Sequence, residues 1–161
     1  MKKFGIICGG FSSEFDISVK SARNILKNFP DAYDAYLIYL QRDGWFIEVN
    51  GIKLSLNSID FTFNNGVDKI DAVIVYIHGD PGENGKIQAY LDMIGLPYVN
   101  SGGVDHLDSI SAQALISQAC DLADQLDVQY LELRHEHPVA HPRLNHERTD
   151  KAHMRLSLPP C

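Results

Sequence analysis

The segment Asp71-Ala72-Val73-Ile74-Val75-Tyr76-Ile77 constrains the fold more than any other part of the chain. After Asp71 it carries no charge and none of the apolar–polar alternation of a strand that faces water on one side. A run of this kind reads as a strand covered on both faces, as strands are when helices cross over a parallel sheet. It breaks directly into a glycine-rich loop, His78-Gly79-Asp80-Pro81-Gly82-Glu83-Asn84-Gly85. The chain opens with the same grammar. Lys3 to Cys8 is a short apolar run that ends in Gly9-Gly10 and continues through Phe11-Ser12-Ser13-Glu14-Phe15-Asp16-Ile17-Ser18.

The rest of the chain alternates in the same way. Val19, Ala22, Ile25, Leu26 and Phe29 recur at helical spacing, and Pro30 stops that helix. Ala35 to Leu40 reads as a second strand. Trp45 to Val49, Asn50-Gly51 and Ile52 to Leu54 form a hairpin, because Asn-Gly favours the turn whose twist matches paired strands. Ile87, Leu91 and Ile94 mark a helix closed by Gly95, and Pro97-Tyr98-Val99 a short strand. Leu115, Ala119, Leu122 and Leu126 make a stripe on a helix starting near Ile110. Val128 to Arg134 reads as a fifth parallel strand, and Ala152 to Leu158 as a candidate antiparallel edge strand. Strands alternating with helices imply an α/β fold: a three-layer α/β/α sandwich with a Rossmann-like, mostly parallel sheet and an antiparallel edge.

At 161 residues the chain fits one domain. Its net charge of -7 argues against a nucleic-acid partner, because phosphate binding needs clustered Lys and Arg. No apolar run is long enough to cross a bilayer. The start lacks a signal-peptide cleavage pattern, and three cysteines without metal spacing suit a reducing compartment, so a cytoplasmic protein without a membrane partner is expected. Composition shifts along the chain: all twelve glycines lie at or before Gly103, and six of the seven histidines lie after it.

In open α/β sheets, ligands bind beyond the carboxyl ends of the strands. Two loops leave those ends here, the one through Gly9, Gly10 and Glu14 and the one through His78. Glu14 and His78 could face each other across the crevice, offering a carboxylate and an imidazole to a small zwitterion. The bland alternatives are a helix N-terminal charge for Glu14 and a strand-end residue bonded to backbone for His78. The glycine loop is not a G-x-G-x-x-G, so dinucleotide binding is disfavoured. His135, His137, His141, His146 and His153 read as solvated loop residues rather than a zinc site, and no metal is expected.

Three ordered motifs carry a family resemblance: Gly9-Gly10-x-Ser12-x-Glu14-x-x-Ile17-Ser18, His78-Gly79-x-x-Gly82-Glu83-x-Gly85-x-Ile87-Gln88, and Gly95-Leu96-Pro97-Tyr98-Val99. Over residues 2–102 the chain resembles the N-terminal domain of D-alanine–D-alanine ligases of the ATP-grasp family. The resemblance implies a pre-ATP-grasp fold, and it implies that Glu14 and His78 derive from residues that help hold the first D-alanine. Ile17, Ser18, Gly9 and Gly10 would lie beside them. A whole ligase of this family continues into parts that bind ATP, magnesium and the reacting carboxylate. Such parts are not recognised after Gly103, so no catalytic residue and no cofactor is assigned.

Residues 102–159 resemble a fragment of Fem-type peptidyl/aminoacyl transferases, on Gly102-Gly103-Val104, Leu126-Asp127-Val128-Gln129-Tyr130-Leu131-Glu132-Leu133-Arg134 and Asp150-Lys151-x-His153-Met154-x-Leu156. The two resemblances meet where the composition changes. The sequence reading therefore expects one domain over 1–161, an engineered chimera without enzymatic turnover, in which 103–161 add a helix and strands to the sheet begun by 1–102. Its alternatives are a binding module that keeps weak D-alanine affinity and a fragment of a true ligase.

Overall fold

The computed structural model describes residues 1–100 and the helix 109–136. In chain order the elements are β1 (Lys3–Gly9), α1 (Phe15–Lys27), β2 (Asp34–Gln41), β3 (Gly44–Val49), β4 (Ile52–Ser55), β5 (Thr62–Phe63), β6 (Asp68–Lys69), β7 (Ala72–Val75), α2 (Lys86–Ile94), β8 (Tyr98–Asn100) and α3 (Ser109–Glu136). Six strands form one sheet in the order β4-β3-β2-β1-β7-β8. The pairs β2–β1, β1–β7 and β7–β8 are parallel, whereas β2–β3 and β3–β4 are antiparallel. The fold is a mixed α/β sandwich with a mostly parallel sheet, as expected.

The period-2 geometry of strands sorts the core into two layers. Phe4, Ile6 and Cys8 of β1, Leu37 and Tyr39 of β2, and Ala72 and Ile74 of β7 point to one face. There they meet Ala22 and Ile25 of α1 and Ala112, Leu115, Ile116, Ala119 and Ala123 of α3. Ile7, Ile38, Val73 and Val75 point to the other face, against Ile87 and Leu91 of α2 and Phe61 and Phe63 of the segment around β5. All four residues of β7 are buried, which explains its unbroken apolar sequence. Each buried Val, Ile, Leu or Phe among them contributes on the order of 1.5–3 kcal/mol by leaving water.

The hairpin forms as expected, with Asn50 and Gly51 both at positive φ (51° and 78°) between β3 and β4. Its antiparallel strands form the sheet edge beside β2. The antiparallel edge strand expected at Ala152–Leu158 lies outside the described residues. Arg23 of α1 ties the hairpin to the helix layer. Its guanidinium donates to Glu48 Oε2 (3.0 Å) and to the Tyr39 hydroxyl (2.8 Å), and that hydroxyl in turn donates to Glu48. The small β5–β6 ladder is not foreseeable from the sequence, because two-residue strands leave no period to read.

The expected fifth parallel strand at Val128–Arg134 is corrected: these residues continue α3, which runs to Glu136. The physical reason lies in the chain itself. Only Asp127 separates Leu126 from Val128, with no Gly, Pro or Asn to end a helix there, and Leu131, Glu132, Leu133 and Arg134 are strong helix formers. Accordingly β8 carries no additional parallel strand from this segment. Leu115 and Ala119 are buried against the sheet, and Leu122 and Leu126 pack partly buried against the same cluster. Lys2 pairs with Asp127 at 2.9 Å. His135 belongs to α3, and His137, His141, His146 and His153 lie outside the described residues.

Candidate functional site

Parallel strands β1, β2 and β7 end on the same side of the sheet, and the two glycine-rich loops leave from there. The first runs from Gly10 to Glu14 into α1, and the second from Tyr76 to Gly85 into α2. A backbone bond joins them, the Phe11 N–H donating to the Asp80 carbonyl at 2.8 Å, while the Gly10 N–H ties the first loop to β2 by donating to the Leu40 carbonyl at 3.0 Å. Gly10 takes φ +98°, and a Cβ there would sit 2.7 Å from Ile77 Cγ2 and 3.0 Å from the Asp80 carbonyl oxygen. Only glycine permits this approach without displacing a neighbour.

The second contact is closer to the candidate residues. Gly79, at φ +73°, lies so near the first loop that a Cβ on it would be 2.9 Å from Ser12 Cβ and 3.6 Å from Glu14 Oε2. The Glu14 carboxylate therefore sits beside the residue that follows His78. Ser12 closes the junction, its hydroxyl donating to the His78 carbonyl (2.9 Å) and accepting from the Glu14 N–H (3.2 Å).

His78 is largely covered, with 16% of its side chain exposed, and its ring meets Tyr76 edge-on at 5.1 Å. Glu83 Oε1 lies 4.0 Å from His78 Nδ1. Around the mouth, Lys86 Nζ donates to Asp80 Oδ1 (2.7 Å), and this bond, with a second from Asn84, holds the Asp80 carboxyl below its usual range. Arg42, from the turn between β2 and β3, donates to the Phe11 carbonyl at 3.3 Å and stacks over the Phe11 ring at 5.4 Å.

The other expected residues take distinct places. Gly9 ends β1, and its N–H donates to Ser18 Oγ at 3.0 Å. Ser18 is fully buried, and its hydroxyl donates to the Tyr76 carbonyl, so it braces the two loop bases from beneath. Ile17 is 57% exposed on α1. Sequence reasoning named Ser12 only as a motif position and missed Arg42 altogether, because both act through contacts distant in sequence.

The two loops thus bring an exposed carboxylate, Glu14, next to the residue that follows a largely covered imidazole, His78, and a carboxylate so placed can pair with an ammonium group.

Comparison with known proteins identifies the lineage of the loops. The profile described as "D-ala D-ala ligase N-terminus" matches residues 3–101. The chain belongs to that family. A D-alanine–D-alanine ligase of Porphyromonas gingivalis is 42% identical over 108 residues, covering 63% of this chain and 32% of the relative. One from Parabacteroides distasonis is 41% identical over 105 residues, with the same coverage. Among solved structures, D-alanyl-alanine synthetase A of Vibrio cholerae aligns with a TM-score of 0.52 at 34% identity, over 61% of this chain and 31% of that one. The chain thus spans about a third of the length of the curated relatives it matches.

These findings correct the expectation of an engineered chimera. The profile and the relatives support the N-terminal piece of a ligase, and none of them supports a transferase segment. The strand that carried much of the transferase resemblance is helix. Among the described residues, no helix is long and apolar enough to cross a membrane.

Proposed function

We propose that this chain is the N-terminal part of a D-alanine–D-alanine ligase and that its contribution is to hold the first D-alanine. In this reading Glu14 pairs with the ammonium group, and His78 borders the bound molecule from the opposite loop. Ile17, Gly9 and Gly10 lie beside them, and Ser18 braces the loop bases from beneath. The observation that carries the reading is the convergence of the two loops, with Glu14 Oε2 3.6 Å from where a Cβ on Gly79, the residue after His78, would fall.

The profile match ends at residue 101. By the family resemblance, ATP, magnesium and the reacting carboxylate belong to parts that follow in a whole ligase. Phosphoryl transfer depends on positioning and charge neutralisation by such parts. We therefore assign to this chain the substrate-binding part of that reaction.

A site open on one side buries little of a small ligand, so the affinity expected is about millimolar or weaker. Titration of D-alanine followed by backbone amide shifts tests the reading. Residues of the two loops should move, L-alanine should be the weaker ligand, and Glu14→Ala should abolish the response. A flat titration to about 50 mM, well above the affinity expected for such a site, overturns it.

A further inference from the structure

Ser12 sits where the two loops meet, and its hydroxyl is spent on both of them. It donates to the His78 carbonyl at 2.9 Å and accepts from the Glu14 N–H at 3.2 Å. The same oxygen lies 3.0 Å from where a Cβ on Gly79 would fall. The only other direct backbone bond between these loops among the described residues is the Phe11 N–H to the Asp80 carbonyl. Ser12 is thus the one described side chain bonded to the backbone of both Glu14 and His78.

From this geometry we infer that Ser12 is a positioning residue that couples Glu14 to His78. The inference rests on the reading of their crevice as the D-alanine site. A hydroxyl can accept one bond while donating another, and no aliphatic side chain of that size can do either. Each bond fixes a different loop: the accepted one sets the backbone from which the Glu14 side chain projects, and the donated one sets the backbone of His78. Without them the loops remain joined through Phe11 and Asp80, so the fold persists while the carboxylate and the imidazole lose their common register. Glu14 is exposed and His78 mostly covered, so it is the Glu14 side that would drift.

The test uses the full chain and two readouts. The first needs no ligand. Glu14→Gln should shift the His78 ring resonances in the Ser12 protein and leave them unmoved when combined with Ser12→Ala, because the coupling has been cut. A merely structural serine would leave that transmission intact. The second is the D-alanine titration. Ser12→Ala should weaken binding about tenfold, the loss corresponding to about 1.4 kcal/mol, while Ser12→Thr, which keeps the hydroxyl, should restore it.

Preserved transmission from Glu14 to His78 in the Ser12→Ala background overturns the coupling, and so does unchanged affinity. If the wild-type chain ignores D-alanine, the functional reading fails and the ligand-free arm alone decides the role of Ser12. Should Ser12→Ala unfold, Ser12→Cys, with a weak donor of similar shape, is scored against Ser12→Thr by the same two readouts. Lost coupling in the cysteine variant with retention in the threonine variant supports the role, and equal behaviour overturns it.

Discussion

The Ser18 hydroxyl donates to the carbonyl of Tyr76, joining the first turn of α1 to the residue two positions before His78. The same oxygen accepts the Gly9 N–H at 3.0 Å, so one buried side chain satisfies the ends of β1 and of the β7 segment. Buried backbone groups left without partners cost more than the hydrogen bond itself contributes when made.

Ser18→Ala should therefore destabilise strongly for so small a change. Two backbone groups lose their partner in a place with no exposure to water, and about 2–4 kcal/mol is expected in denaturant unfolding. Because α1 and both loop bases shift together, D-alanine binding should weaken as well. A cost below about 0.5 kcal/mol, the level of an ordinary surface change, would show that the bridge is replaceable.

Gly79→Ala isolates the closeness of the two loops from the strain of a positive φ. Gly79 and Gly95 have similar φ values, +73° and +68°, yet a Cβ on Gly95 would meet nothing within 4 Å, whereas one on Gly79 would press on Ser12. The backbone part of the cost, about 1–2 kcal/mol, is common to both substitutions. Gly79→Ala should exceed Gly95→Ala by at least about 1 kcal/mol, the order of cost for overpacking. Equal costs in urea unfolding would mean that the loops stand further apart than described.

Glu48 should give the acid limb of stability a recognisable component. The Tyr39 hydroxyl, then the Arg23 guanidinium, hold its carboxyl below the ordinary value of 4.5. A carboxyl whose native pKa is depressed contributes stability that is fully present above its unfolded value and is lost as pH falls through the native one. Between pH 7 and 5 the contribution should be constant, and below about 4.5 it should fade. Glu48→Gln should lower stability by about 1 kcal/mol at neutral pH, since Arg23 is half exposed and the pair is partly screened. The difference from wild type should shrink toward pH 3; a difference that stays constant with pH contradicts this account.

The elements whose periods were long enough, or whose turns had a chemical signature, were legible in the sequence. The β7 run announced its double burial, and Asn50-Gly51 announced the hairpin. The candidate site was legible only as residue types: Glu14 and His78 stood out as a carboxylate and an imidazole beside glycines, but their joining through Ser12 depends on a contact across 66 positions. Val128–Arg134 misled because β-branched and aromatic residues at Val128 and Tyr130 look strand-like in isolation. The helix preceding them has no stop signal, and continuity outweighed local propensity. The short β5–β6 ladder depends on tertiary packing of Phe61 and Phe63 beneath the sheet, which no short window reveals.

How firmly α3 belongs to the ligase-like layers can be measured at Leu115. Its side chain is 4% exposed in the cluster that also holds Phe4, Ile6, Ala72 and Val99, residues of three different strands. Truncation there removes several methylene and methyl groups and leaves a cavity between helix and sheet. Leu115→Ala should cost about 2–4 kcal/mol, enough to read as a large drop in unfolding midpoint. Gln118→Lys, which exchanges one good helix former for another at an exposed position on the same helix, serves as the control and should change stability by less than about 0.5 kcal/mol. If Leu115→Ala proves equally mild while β1 and β7 amides keep full exchange protection, α3 is not part of the cooperative unit. If their protection falls together with global stability, the helix and the parallel strands unfold as one.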